Sequence, residues 1–274
     1  MGLIRTYGNR HGQCNICGEI GELTQDHIPP KGSVRIKQVD MFNLIDLLAV
    51  EHPQKKQRGR SSQGGVKYRT ICKRCNGRVL GESYDKDFKK FTDQTHKILN
   101  SLTLLALPST LSIAVKPQRV MRAIIGHLCS VGVNRYQKGP HTEEIKSYIL
   151  DPKLNLPSFI NIYYWVYPYK RQILIRDAVL KDLGCEGQAY FWLMKFYPIA
   201  FFVVWDNPIN YTFPNLQKLS RYRNASIDDV VELPLDLKKL PPECWPEQPT
   251  GSSIICYGNG SMGATESAKK RTIF

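Results

Sequence analysis

Cys14-Asn15-Ile16-Cys17, Asp26-His27-Ile28-Pro29-Pro30 and Cys72-Lys73-Arg74-Cys75-Asn76 are the three segments on which the reading of this chain turns. Each Cys-x-x-Cys turn brings two thiolates to one point, and four such sulfurs suit the tetrahedral preference of Zn²⁺. The two pairs bracket an acid–imidazole dipeptide, and an amide residue follows the last cysteine directly. A zinc ion with four sulfur ligands is coordinatively complete, so Asp26 and His27 are left for other chemistry. A structural clip alone needs neither.

This arrangement resembles the HNH, or ββα-metal, nuclease family, in particular the zinc-stapled branch that includes phage junction-resolving endonucleases. The likeness spans roughly residues 10 to 90. It implies that Cys14, Cys17, Cys72 and Cys75 hold a structural zinc. It also implies that Asp26 binds a catalytic divalent ion, that His27 deprotonates the attacking water, and that Asn76 is the second ligand of the catalytic ion. The chain departs from the family pattern in two places. The family's middle Asn, which braces the base, corresponds to Asn43, the only Asn between His27 and Cys72. The His that many members carry after the last CxxC is missing from residues 77–85, which makes Glu82 or Asp85, on the helix expected there, the candidate third ligand.

The chemistry of these residue types supports the same roles. Hydrolysing a phosphodiester at neutral pH needs an activated water and relief of the charge building on the phosphate and the leaving oxygen. A hard cation held by a carboxylate and an amide oxygen supplies that relief, which favours Mg²⁺ or Mn²⁺ over a second tightly bound zinc. Histidine titrates near neutrality and suits the work of a general base. Adjacent strand residues point to opposite faces, so Asp26 and His27 can share one site only if the backbone twists locally. Pro29 and Pro30 restrict that backbone.

The 274 residues carry a net charge of +14, with 42% hydrophobic and 23% charged side chains. This is the composition of a folded protein, and the excess of cations calls for a polyanionic partner, nucleic acid before a membrane. Within residues 53–78, Lys55, Lys56, Arg58, Arg60, Lys67, Arg69, Lys73, Arg74 and Arg78 occur without an acid among them, and 57–65 is rich in Gly and Ser. A basic loop over 53–71 is expected to neutralise flanking phosphates, positioning the nucleic acid rather than reading its sequence. Cys129, Cys185, Cys244 and Cys256 are scattered without framework spacing and read as reduced thiols. No signal core or membrane span is evident, so the expected compartment is the cytoplasm.

The expected fold is α+β. It begins with a ββα-metal (HNH or treble-clef-like) zinc module over residues 1–106. A mixed helical and antiparallel-sheet accessory domain follows over 107–245, then a loosely structured tail over 246–274. Apolar spacing predicts helices over 41–50, over 84–106 and after Pro117, the last with Val120, Ile124, Ile125, Leu128 and Val131 on one stripe. His127 on that stripe, like His96 and His141, reads as a satisfied core histidine rather than a ligand. Aromatic and β-branched runs predict two hairpins, 159–167 with 172–176 and 189–197 with 199–205, whose aromatics pack a core.

The resulting expectation is a metal-dependent DNA endonuclease. Similar chains include restriction and anti-phage effectors, which implies a defence role and a regulatory or sensor protein acting on the second domain. The rivals are a non-catalytic zinc-ribbon module that binds nucleic acid or protein, and an RNA-cleaving enzyme of the same chemistry.

Overall fold

The structure is a computed structural model. It describes residues 4–33, 38–48, 59–101, 110–182, 188–205, 213, 215–249, 251–258 and 260–267. Its strands are β1 (His11–Gln13), β2 (Ile20–His27), β3 (Gln38–Asn43), β4 (Arg60–Gln63), β5 (Lys67–Cys72), β6 (Thr110–Val115), β7 (Ile160–Val166), β8 (Gln172–Asp182), β9 (Ala189–Phe196), β10 (Ile199–Trp205), β11 (Gln217–Lys218), β12 (Val231–Asp236), β13 (Ser253–Cys256) and β14 (Met262–Glu266). The helices are α1 (Leu44–Leu48), α2 (Asp85–Asn100), α3 (Pro117–Ser130) and α4 (Thr142–Leu150), and a π-helix over Arg74–Glu82 joins β5 to α2. The architecture is α+β with antiparallel pairing throughout the named strands. Among the described residues, no helix is long and apolar enough to cross a membrane.

The N-terminal sheet has the order β1-β2-β5. The first cysteine turn links β1 to β2, closed by Gly18 N–H on Cys14 O at 3.0 Å and Cys14 N–H on Glu19 O at 2.9 Å. Gly18 has φ +79°, and a Cβ there would come within 2.5 Å of the Tyr136 ring, so both backbone and space call for glycine. The register of β2 against β5 shifts at Thr24/Gln25, from Thr24↔Ile71 to Gln25↔Arg69, with Thr70 as the extra residue. A bulge of this kind increases the local twist, here just before Asp26.

The large sheet runs β11-β7-β10-β9-β8-β14-β3-β4, with β13 also on β8. Its central strands are buried on both faces, which explains their nearly unbroken apolar sequence. Alternate residues divide between two clusters. Tyr164 and Phe201 meet Phe88 and Phe91 of α2, whereas Trp165 and Phe202 meet Trp245 on the opposite face. The aromatics are therefore core. Lys195, in β9, is fully buried on the Trp245 side, and its ammonium donates to Glu243 O, Trp245 O and the Glu247 carboxylate at 2.5–2.7 Å. These bonds fasten the covering segment to the sheet.

Several expectations are corrected. The predicted pairing of 159–167 with 172–176 does not form: β7 pairs with β10, and β8 with β9, because the β9–β10 hairpin inserts between them. Of the helix expected over 41–50, residues 41–43 belong to strand β3, since Val39 and Met41 alternate into the core, Leu44–Leu48 is helical, and 49–50 lie outside the described residues. The tail after 246 is ordered in its described part. There β14 lies between β8 and β3 and buries Met262 and Ala264. The basic segment is likewise largely strand where described, as β4 and β5. Lys55, Lys56, Arg58 and Cys185 lie outside the described residues. One apolar cluster holds Cys14, Phe91, Ile124, Phe201 and Met262 together, so the core is continuous across residue 106.

Leaving Glu247 without its partner strands a buried charge, which costs about 3–5 kcal/mol. Lys195→Met should lower stability by about that amount in urea denaturation. The double variant with Glu247→Leu should recover most of it. Wild-type stability in the single variant would mean that the buried pair is not formed.

Candidate functional site

The four cysteines converge although 55 residues separate Cys17 from Cys72. Their sulfurs all lie within 4.8 Å of one another, and Cys17 Sγ is 3.8 Å from Cys72 Sγ. A zinc tetrahedron with bonds of about 2.3 Å has edges of about 3.8 Å, so these positions fit the ion. The N–H groups of Ile16 and Cys72 donate to Cys14 Sγ at 3.4 and 3.3 Å. Hydrogen bonds from Cys17 and Cys75 push the Cys14 thiol down, while those same contacts push Cys17 and Cys75 up. Four sulfurs this close cannot all be charged without a cation to neutralise them.

Asp26 and His27 end β2, opposite Tyr68 and Lys67 of β5. Strand alternation sends them to different sides. Asp26 turns inward and is 2% exposed, whereas His27 is only partly buried. Burial, and then the charge of Lys67, lower the His27 pKa from its ordinary value. No described side chain hydrogen-bonds its ring, which is uncharged at neutral pH.

Asn76 lies on the π-helix one residue after the buried Cys75. Its Nδ2 donates to Thr24 Oγ1 and to Gln25 O, both at 2.9 Å, and Thr24 Oγ1 donates in turn to Ile71 O. These bonds hold the amide against β2 next to Asp26 and leave Oδ1 as an oxygen donor. Asn43, by contrast, uses Oδ1 to accept from Ile45 N–H at the start of α1. It does not brace His27. Glu82 is exposed at the end of the π-helix.

Asp85 does approach Asp26, but through a third residue. His127, on α3, donates from Nδ1 to Asp26 Oδ2 at 2.9 Å and from Nε2 to Asp85 Oδ1 at 2.8 Å. The ring is fully buried. Burial alone would push its pKa down, yet the two carboxylates override it and hold the pKa up at about 10. The expectation of a buried, satisfied histidine on the α3 stripe is met, but its partners are two of the candidate site residues. The carboxylates lie on opposite edges of the ring and so do not converge on one point. His96 is exposed and edge-on to Tyr197, and His141 stacks on Phe159.

The described cations surround this region unevenly. Arg60 and Arg69 both pack over the Tyr7 ring, at 5.1 and 5.3 Å. Arg74 pairs with Glu19 at 3.3 Å, and Lys73 and Arg78 are exposed on the turn and π-helix that carry Cys75. Neither the cleft of about 790 Å³ nor that of about 570 Å³ is lined by Asp26, His27 or Asn76. The chain matches no family model, no curated protein and no solved structure.

Purified protein should contain one zinc per chain by metal analysis, and Cys72→Ala should lose both the zinc and the cooperative unfolding transition. A folded, zinc-loaded Cys72→Ala protein would break the four-sulfur assignment. A histidine held at about 10 stabilises the fold fully below its unfolded value, roughly 6.5, and loses that contribution as pH rises through about 10. The stability gap between wild type and His127→Gln should therefore narrow from pH 7 to pH 10 in urea titrations.

Proposed function

We propose that the chain is a metal-dependent endonuclease in which β2, β5 and the helical segment after Cys72 act as a zinc-stapled ββα-metal module of the HNH kind. The observation that carries this reading is the anchoring of Asn76 on the backbone of Gln25. It draws the amide that follows the sulfur cluster to the strand end bearing Asp26 and His27. The carboxylate of Asp26 and the amide oxygen of Asn76 are then the candidate donors outside the sulfur cluster, and the imidazole of His27 follows one residue on along the same strand end. Oxygen donors of this kind suit Mg²⁺ or Mn²⁺, which when bound would offset charge on the phosphate and the leaving group. Asp26 Oδ1 and Asn76 Oδ1 are the atoms that would hold the ion.

His27 takes the proton from the attacking water. Its depressed pKa keeps it in the base form, and its ring is only partly buried, which leaves it within reach of water. Lys67 beside it, with Lys73 and Arg78 on the exposed turn and π-helix, would neutralise flanking phosphates. The net charge of +14 supports a nucleic acid as the polyanion. A role in defence against foreign DNA and a regulatory protein partner fit this chemistry.

A second reading, a non-catalytic zinc module that binds nucleic acid or protein, is favoured by one observation: Asp26 is almost wholly buried and already bonded to His127. A nicking assay on supercoiled plasmid with Mg²⁺ or Mn²⁺, with a matched RNA substrate in parallel, separates the readings. Wild type should nick DNA. His27→Ala should lose at least about a hundredfold in rate while keeping its zinc and its DNA affinity. Wild-type cleavage by His27→Ala would remove the base, and no cleavage of either nucleic acid would favour the binding module.

A further inference from the structure

We infer that His127 is the positioning residue for Asp26, fixing which carboxylate oxygen faces the catalytic ion. This rests on Asp26 being an ion ligand, as proposed above. A carboxylate that rotates freely presents either oxygen in many directions, and ordering it on ion binding weakens the binding. Here Oδ2 is held by His127 Nδ1, 101 residues away in sequence. The ring that holds it is fastened at its far edge by Asp85, at the first turn of α2. Both ring nitrogens are therefore engaged, which excludes His127 as a ligand itself. Of the Asp26 carboxylate only Oδ1 is left.

The mounting of the imidazole is rigid. The α3 helix is buried along nearly its whole length. At Gly126, the residue before His127, a Cβ would come within 2.4 Å of Leu80 Cδ2, so the helix approaches the π-helix segment closely. Thr70, the bulge residue of β5, donates to Ser130 O at 2.7 Å, and Asn15 of the first cysteine turn donates to Cys129 O and Gly132 O at 3.1 and 2.8 Å. These bonds lock α3 to both sulfur-bearing segments, so the ring and the zinc cluster belong to one frame. Each ring nitrogen faces a carboxylate oxygen, so the ring cannot turn without losing a bond. Partners of metal ligands that act in this way typically change ion affinity by about 10–100-fold when removed.

The test is Mn²⁺ binding by electron paramagnetic resonance on the full, zinc-loaded chain without nucleic acid, so that no turnover is needed. Asp26→Asn should abolish binding. His127→Gln should weaken it by about 10–100-fold with zinc content and circular dichroism unchanged. Asp85→Asn, which keeps an acceptor for the ring but removes its charge, should weaken it by a smaller factor, about threefold to tenfold. It also serves if His127→Gln does not fold. Wild-type Mn²⁺ affinity in His127→Gln, or in Asp85→Asn where the former is unfolded, overturns the positioning role while leaving Asp26 as ligand. Loss in Asp85→Asn as complete as in Asp26→Asn also overturns it, because Asp85 would then be a ligand. Unchanged binding in Asp26→Asn instead removes the ligand reading itself, and the positioning role with it.

Discussion

Of the α3 helix only Arg119 escapes burial, and that constraint organises the molecule. A helix out of water on all sides must find partners for every polar group it carries. Gln118 reaches the carbonyls of Tyr222 and Arg223, and Arg122 takes those of Tyr148, Asp151 and Leu154. His127 takes two carboxylates. The last carbonyls of the helix accept from Asn15 on the side of the sulfur cluster and from Arg176 on the sheet side, at 2.7–3.1 Å. A cation at a helix C-terminus is favourable with respect to the dipole, and here it also joins β8 to the end of α3. The partners of α3 thus come from nearly every part of the chain.

This arrangement sets how the candidate site is built. The sulfur cluster gathers the first cysteine turn and the end of β5, but by itself it would not define where the end of β2 points. The Thr24/Gln25 register shift, the Asn76 amide and the His127 ring together constrain the five residues from Leu23 to His27. Asp26 and His27 consequently differ in kind: one is buried and held, the other is half-open and unheld. In the proposed reading, the held carboxylate presents one oxygen to the ion and the half-open imidazole meets water.

The large sheet stabilises this site from a distance. Phe88 and Phe91 anchor α2 on β7 and β10, which places Asp85, at the head of the same helix, against His127. Gln172, the first residue of β8, donates to Ile28 O just after His27. With β14 between β8 and β3, the sheet also ties the segment that follows Pro30 to the strands beyond residue 160. The accessory region is thereby part of the scaffold of the site.

The two CxxC turns were legible because each pair of ligands is local, and a metal's geometry demands that the two turns meet. The helices after Tyr84 and Pro117 were legible from their apolar stripes, and the strands of 159–205 from β-branched and aromatic runs, since those signals depend on near neighbours along the chain. Strand order was not, because β7 and β8 carry the same apolar pattern whichever partner they take. Asn43 matched a family position in one dimension, yet its amide spends its oxygen on Ile45. His127 looked like a core residue because nothing near it in sequence announces a carboxylate. Its partners lie 101 and 42 residues away, and only the folding of α3 across β2 and α2 brings them to one ring. The chain alone therefore determined which chemistry was available, through residue types at short spacing. The tertiary structure decided which of those groups are held, which are open and which face each other, because burial and long-range pairing depend on the whole packing.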